Sequence, residues 1–179
     1  FATTSPRESN FSTRLYIDGF KQALKEPYTN EFKPFIKHGV PVHSGDYCLI
    51  VCGSSNELDE LDTITTDLNE MILFARKARA RGYKIGYTGS NKDARNNKKL
   101  VDACDEKKVG DVRAALDLIA GAGIIISNNT DLAHCAGALD KKTFMVLTED
   151  FDERETNSGQ NTFYSKEGEH KNDFENWLK

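Results

Sequence analysis

The chain has 179 residues, 38% hydrophobic and 29% charged, with 24 Lys and Arg dispersed among 28 Asp and Glu for a net charge of −4. This suits one compact domain carrying an extension, and it provides no basic stripe of the kind that nucleic-acid binding needs. No apolar run approaches the ~18 residues of a membrane helix, and the start of the chain has no signal-peptide core.

In chain order, residues 1–45 read as an N-terminal extension or linker. FATTSPRESN is polar, and the stretch after it predicts a short helix with Leu15, Phe20, Ala23 and Leu24 as its apolar contacts. Pro27, Pro34 and Pro41 then punctuate an irregular segment. The chain starts with Phe rather than Met, as a processed product or a fragment would.

Residues 46–179 read as a second unit. Tyr47–Cys52 (YCLIVC) is an apolar run ending at Gly53, the pattern of a buried parallel strand. Leu61, Ile64, Leu68, Met71, Ile72, Ala75 and Ala78 recur at helical spacing, with Thr66 or Asp67 as N-cap and Gly82 as the stop. A strand over Tyr83–Thr88 follows, then a helix from Asp93 using Ala94, Leu100, Val101 and Cys104. Next come a very short strand at Lys108–Val109 and a helix capped by Asp111 and closed by Gly121 and Gly123. Ile124–Ser127 predicts a strand, Asp131–Leu139 a helix, and Thr143–Leu147 a strand. The remaining residues read as polar loop, ending in an amphipathic piece with Phe174, Trp177 and Leu178. Strands alternating with helices imply right-handed crossovers: an α/β, Rossmann-like three-layer domain with a parallel sheet.

Cys48, Cys52, Cys104 and Cys135 form no C-x-x-C pair and have no His at zinc spacing. Cys48 and Cys52 lie four apart on one strand, on the same face but too distant to bond. Reduced thiols predict a cytoplasmic or otherwise intracellular protein.

Ligands of open parallel sheets bind outside the carboxyl ends of the strands. Those ends carry Gly53-Ser54-Ser55-Asn56, Thr88-Gly89-Ser90-Asn91, Asn128-Asn129-Thr130-Asp131 and Thr148–Arg154. Each loop alone is ordinary turn chemistry, but four on one edge favour a shared pocket. A helix starting near Thr130 would point free N–H groups out of that edge, an anion site reinforced by the helix dipole. His134, one turn in, has two readings: a phosphate contact, or a half-buried ring bonded to a carbonyl. Two patterns favour plainer readings. Asp150-Phe151-Asp152 belongs to an acidic tail before it suggests a metal site, and Lys92, Arg95, Lys98 and Lys99 form a solvated helix face.

The stretch GAGIIISNNTDLAHCAGALDKKTFMVL resembles the signature of heptosyltransferase-like glycosyltransferases (glycosyltransferase family 9 and repeat-fused relatives), A-D-L-x-I-S-N-D-T-G-x-x-H-x-A-x-A-L-G-K-P before an apolar strand. The matching positions are Ser127, Asn128, Thr130, Leu132, His134, Ala136, Ala138, Leu139 and Lys141. DVRAALDLIAGAG resembles the helix before it, and Asp152 and Arg154 resemble the D-W-R-W element of the repeat-fused relatives.

This likeness implies the C-terminal, donor-binding half of a GT-B fold acting on a nucleotide-diphosphate sugar. It implies no metal or other cofactor, and a second domain or chain supplying the acceptor half. By the resemblance, Asn129, Thr130, Asp131 and His134 would meet the donor pyrophosphate, Gly53, Ser54, Thr88, Gly89 and Ser90 the nucleotide or phosphate, and Arg154 would belong to the same site. The sequence departs from the pattern at Asn129, where the family has Asp, and at Asp131, where it has Gly. Asp131 brings a carboxylate toward a pyrophosphate position. The first loop, CGSSNELDE, lacks the family's basic residue. These departures motivate the alternative of a non-catalytic structural or interaction module.

Overall fold

Runs of β-branched and apolar residues set the sheet. The computed structural model describes residues 45–53, 68–128, 130–147, 161–166 and 168–179, with the backbone alone at 130 and 131. Strands β1 (Tyr47–Val51) and β4 (Ile124–Ser127) are buried at every position, so both faces of the sheet are covered. Each is therefore a continuous apolar run rather than an alternating one. β1 pairs in parallel with β4 on one side and with β2 (Lys84–Gly89) on the other. Strand β3 (Glu106–Val109) extends the sheet beyond β2, and β5 (Lys142–Val146) and β6 (Thr162–Ser165) extend it beyond β4. The order is β3-β2-β1-β4-β5-β6, with all five pairings parallel.

The alternation of side chains along β1 divides the core. Cys48, Ile50 and Cys52 join Met71 and Phe74 of helix α1 (Leu68–Ala80), along with Leu100, Phe144 and Phe174. Tyr47, Leu49 and Val51 face the other way, onto Leu118 and Ile119 of α4 (Val112–Gly121) and Ala136 of α5 (Thr130–Ala138). Three layers result. The shared face of Cys48 and Cys52 matches the sequence reading, and none of the four cysteines is in a disulfide.

Local chemistry ends and begins the helices as the sequence suggests at two places. Gly82 (φ 93°) stops α1, and the Tyr83 N–H returns to the Ala78 carbonyl at 3.3 Å. The Asp111 carboxylate accepts from the N–H groups of Arg113 (2.9 Å) and Ala114 (3.2 Å), capping α4.

Elsewhere the structure corrects the reading. The helix expected from Asp93 starts earlier and is broken into α2 (Asn91–Asn96) and α3 (Lys98–Asp102). Ser90 is its cap: Ser90 Oγ accepts from the Asp93 N–H at 3.0 Å, and Asp93 Oδ2 accepts from the Ser90 N–H at 3.3 Å. Asp93 is therefore the third residue of a capping box rather than the start of the helix. Helix α5 begins at Thr130, one residue before the expected Asp131, and β1, β2 and β5 shift by one residue at their ends.

The largest difference follows β5, where the sequence reads as polar loop. Thr162–Ser165 is a sixth parallel strand, whereas the amphipathic piece expected around Phe174, Trp177 and Leu178 is present as α6 (His170–Trp177), with Phe174 packed into the core. The expected extension of 1–45, apart from Gly45, and the early part of the first helix, with Thr66 and Asp67, lie outside the described residues.

Asp140 accounts for one position of the family-like motif. The motif has Gly there, and Asp140 adopts φ 56° at the end of α5. Its N–H reaches the Gly137 carbonyl and the Lys141 N–H reaches Ala136, both at 3.0 Å, a left-handed helix stop that favours Gly.

Candidate functional site

In a doubly wound sheet a crevice opens where neighbouring strands send their connections to opposite faces. Here that point lies between β1, followed by α1 on one face, and β4, followed by α5 on the other. Strand register brings the exits together: Val51 lies opposite both Thr88 and Ser127.

Asn128 joins them. Its N–H donates to the Val51 carbonyl at 3.2 Å, and its Oδ1 accepts from the Gly53 N–H at 3.0 Å. The side chain is 3% exposed and bridges residues 75 positions apart. Gly53 (φ 141°) has no room for a side chain, because a Cβ there would lie 2.1 Å from Asp93 Cγ. The Asp93 carboxylate therefore lies directly over the β1 exit. It also accepts from Ser90 Oγ at 2.6 Å.

Beneath this layer the Tyr87 hydroxyl donates to the Cys52 carbonyl at 2.9 Å. Burial first, and the nearby Asp93 charge after it, push the Cys52 thiol up to about 12, while a hydrogen bond with Asn128 pulls the other way. Cys52 is thus a neutral wall rather than a nucleophile. Burial also raises the Tyr87 phenol, so it remains a donor.

Of the residues singled out from sequence, Gly53, Thr88, Gly89, Ser90 and the start of α5 share this edge. Thr88 is 1% exposed, so its side chain belongs to the sheet. Gly89 gives room to Tyr87, whose hydroxyl lies 3.0 Å from where a Cβ would stand. Ser90 is engaged in the capping box. Thr130 and Asp131 form the first turn of α5, and His134, half-buried, follows one turn later. Ala133 and Ala136 are fully buried, letting α5 lie close on β4 and β5. Ser54, Asn129 and Arg154 lie outside the described residues, as does Asp150-Phe151-Asp152.

Sequence reasoning passed over Asn128 as a site residue and Asp93 as a wall of the crevice. The only signal for Asn128 was its place in the motif. The contact that defines it is long-range.

A shallow groove of about 690 Å³ lies at the opposite edge, where Gly45, Gly123, Lys142, Asn161, Phe163 and Trp177 line the amino ends of the strands. It is remote from the crevice at the strand exits. Among the described residues no group of three or more His, Cys, Asp or Glu could hold a metal ion, and no helix is long and apolar enough to cross a membrane.

Strand order, all-parallel pairing and a crevice at the sheet crossover define a Rossmann-like α/β domain. Its nearer likeness is to glycosyltransferases, and the chain has a heptosyltransferase-like fold. E. coli heptosyltransferase WaaC with ADP superposes with a TM-score of 0.62 at 14% identity, over 84% of this chain and 48% of that one. E. coli ADP-heptose lps heptosyltransferase II gives 0.55 at 15% identity, over 91% and 44%. A glycosyl transferase family 9 protein from Veillonella parvula gives 0.56 at 10% identity, over 93% and 43%. The chain thus spans less than half the length of these structures. No protein-family profile and no curated protein sequence matches it.

Proposed function

We propose that this chain is a glycosyltransferase-like domain that binds a nucleotide-diphosphate sugar at the carboxyl edge of its sheet and supports metal-independent glycosyl transfer. A second domain or chain supplies the acceptor half. The observation that carries this reading is the start of α5, directly out of β4 and beside the sheet crossover. The first-turn N–H groups of a helix favour an anion there. In this reading His134, one turn in, stabilises the departing diphosphate, the point where charge develops. The likeness to structures named for ADP and ADP-heptose supports an adenine nucleotide as the first donor class to test.

One observation favours a second reading, a non-catalytic module on the same scaffold. The Gly53 N–H is already engaged by Asn128, and the Asp93 carboxylate lies over it, so Asp93 of α2 presents a negative charge at the β1 exit, where a phosphate would approach. Asn129 and Asp131 replace the Asp and Gly of the resembling enzymes.

Calorimetric titration with ADP, GDP and UDP sugars separates the readings. The donor-site reading expects saturable binding by the wild type, weakened roughly 10- to 100-fold in His134→Ala, the worth of one hydrogen bond to a charged group. No binding at millimolar nucleotide leaves the module reading. Undiminished binding by His134→Ala removes the role given to His134 alone.

A further inference from the structure

His170 opens α6 and is 5% exposed, with a hydrogen-bond acceptor at each ring nitrogen. Nδ1 lies 2.9 Å from Glu70 Oε2 in the first turn of α1, and Nε2 lies 3.0 Å from the Leu147 carbonyl, just past β5. A carbonyl only accepts, and so does an ionised carboxylate. A neutral imidazole carries one N–H and one lone pair, so it would turn its lone pair on one of the two oxygens. Glu70 is partly exposed, with 21% of its side chain accessible, which lets water support its ionised form.

We infer that His170 is held as an imidazolium, a pH-dependent clamp that ties α1, the exit of β5 and α6 together at the edge of the sheet carrying the crevice.

The surroundings fit a cation. From α1 the facing charge is Glu70. One turn along α6, Asp173 accepts from the Ser165 hydroxyl at 2.7 Å. From the end of β5 the Leu147 carbonyl faces the ring, and Lys166, just past β6, is exposed. The neighbouring Glu169 and Lys171 are exposed. No cation among the described residues bonds to Glu70 in place of His170. The clamp reaches the sheet through Leu147, whose own N–H donates to the Ser165 carbonyl at 2.9 Å, joining the exits of β5 and β6. A ring that loses either proton turns a lone pair on one of the two oxygens, so the clamp is complete only in the doubly protonated form.

The test uses the full chain with His38, His43 and His134 replaced by Gln, so that His170 is the sole histidine, and reads its ring nitrogens by NMR. The expected result near neutral pH is two protonated nitrogens, with Glu70→Gln leaving one N–H under the same conditions. As pH is raised through the ring's titration, hydrogen exchange at the Leu147 amide, corrected for its intrinsic rate, should accelerate by tenfold or more. A ring with a single N–H near neutral pH, or Leu147 exchange indifferent to the titration, overturns the proposal. If Glu70→Gln does not fold, the spectrum and exchange with Glu70 intact still decide it.

Discussion

At the sheet crossover, Gly53, Ser90, Asp93 and Asn128 position one another through hydrogen bonds. On the flank of β5, α6 is held by rings. Phe174 lies 4.5 Å from Phe74 and 5.1 Å from Phe144 between centroids, Trp177 lies 5.4 Å from Phe144, and Lys142 Nζ caps the Trp177 ring at 4.5 Å. Hydrogen bonds fix direction but contribute little net free energy, since the unfolded chain makes similar bonds with water. Buried aromatic surface contributes more and is less particular about angle. The two regions therefore divide the work: the crossover holds the geometry of the candidate crevice, and the flank supplies much of the stability that keeps it folded.

The contrast can be broken from either side. Phe174→Ala is expected to be the largest effect, about 3–5 kcal/mol by chemical denaturation, from lost burial plus a cavity between α1 and β5. Nucleotide titration of the remaining folded protein should be unchanged. Asn128→Ala is expected to be smaller in stability, about 1–3 kcal/mol, because it removes the acceptor that Asn128 gives the part-buried Gly53 N–H. In the same titration it should weaken binding more than Phe174→Ala does, since it frees the β1 exit from the β4 exit. A reversal of the two, with Asn128→Ala costing more stability and less binding, would undo the division.

The same contrast explains what could be read from the sequence. Ile124–Ile126 and Leu49–Val51 are runs whose only economical home is a strand covered on both faces, so the centre of the sheet was legible. The Asp111 cap and the Gly82 stop were legible because each acts within a few residues of its own helix. Strand β6 was not. Among the described residues it is an edge strand, paired with β5, and Thr-Phe-Tyr-Ser alternates between half-buried, exposed and buried positions, so it has no apolar run to announce it. Phe163, 40% exposed, reads as loop until its ring is seen stacked on Phe144 at 5.7 Å. The break at Asn97 was hidden because Ala94, Leu100, Val101 and Cys104 keep a helical spacing across it. In the crevice, sequence placed Gly53, Ser90 and the start of α5 on one edge but could not see Asn128 reach Gly53. The side chain of Asn suits a turn as well as a bridge, and only the fold brings its partner near. Ser90 and Asp93 were two residues of one capping box, read separately as a ligand contact and a helix start.

The smallest expected effect tests whether charge contributes to the flank as the rings do. Lys77 of α1 and Glu175 of α6 form an ion pair across the same gap that Phe74 and Phe174 fill. The hydrogen bond from Lys77, and then its charge, hold the Glu175 carboxyl below the usual carboxylate range. Both side chains are in contact with water, 27% and 59% exposed, so the attraction is screened and is offset by the entropy of fixing two long side chains. Glu175→Gln should therefore leave the denaturation midpoint within error at moderate salt. At low salt any loss should follow the sign of a depressed carboxyl: present above the unfolded glutamate range, and vanishing as pH falls through the folded value. The measurement is a pair of denaturation curves at two salt concentrations, repeated at acidic pH. A loss approaching that of Phe174→Ala would mean that α6 is docked by charge, and the aromatic contacts would then be filling space that the ion pair had already closed.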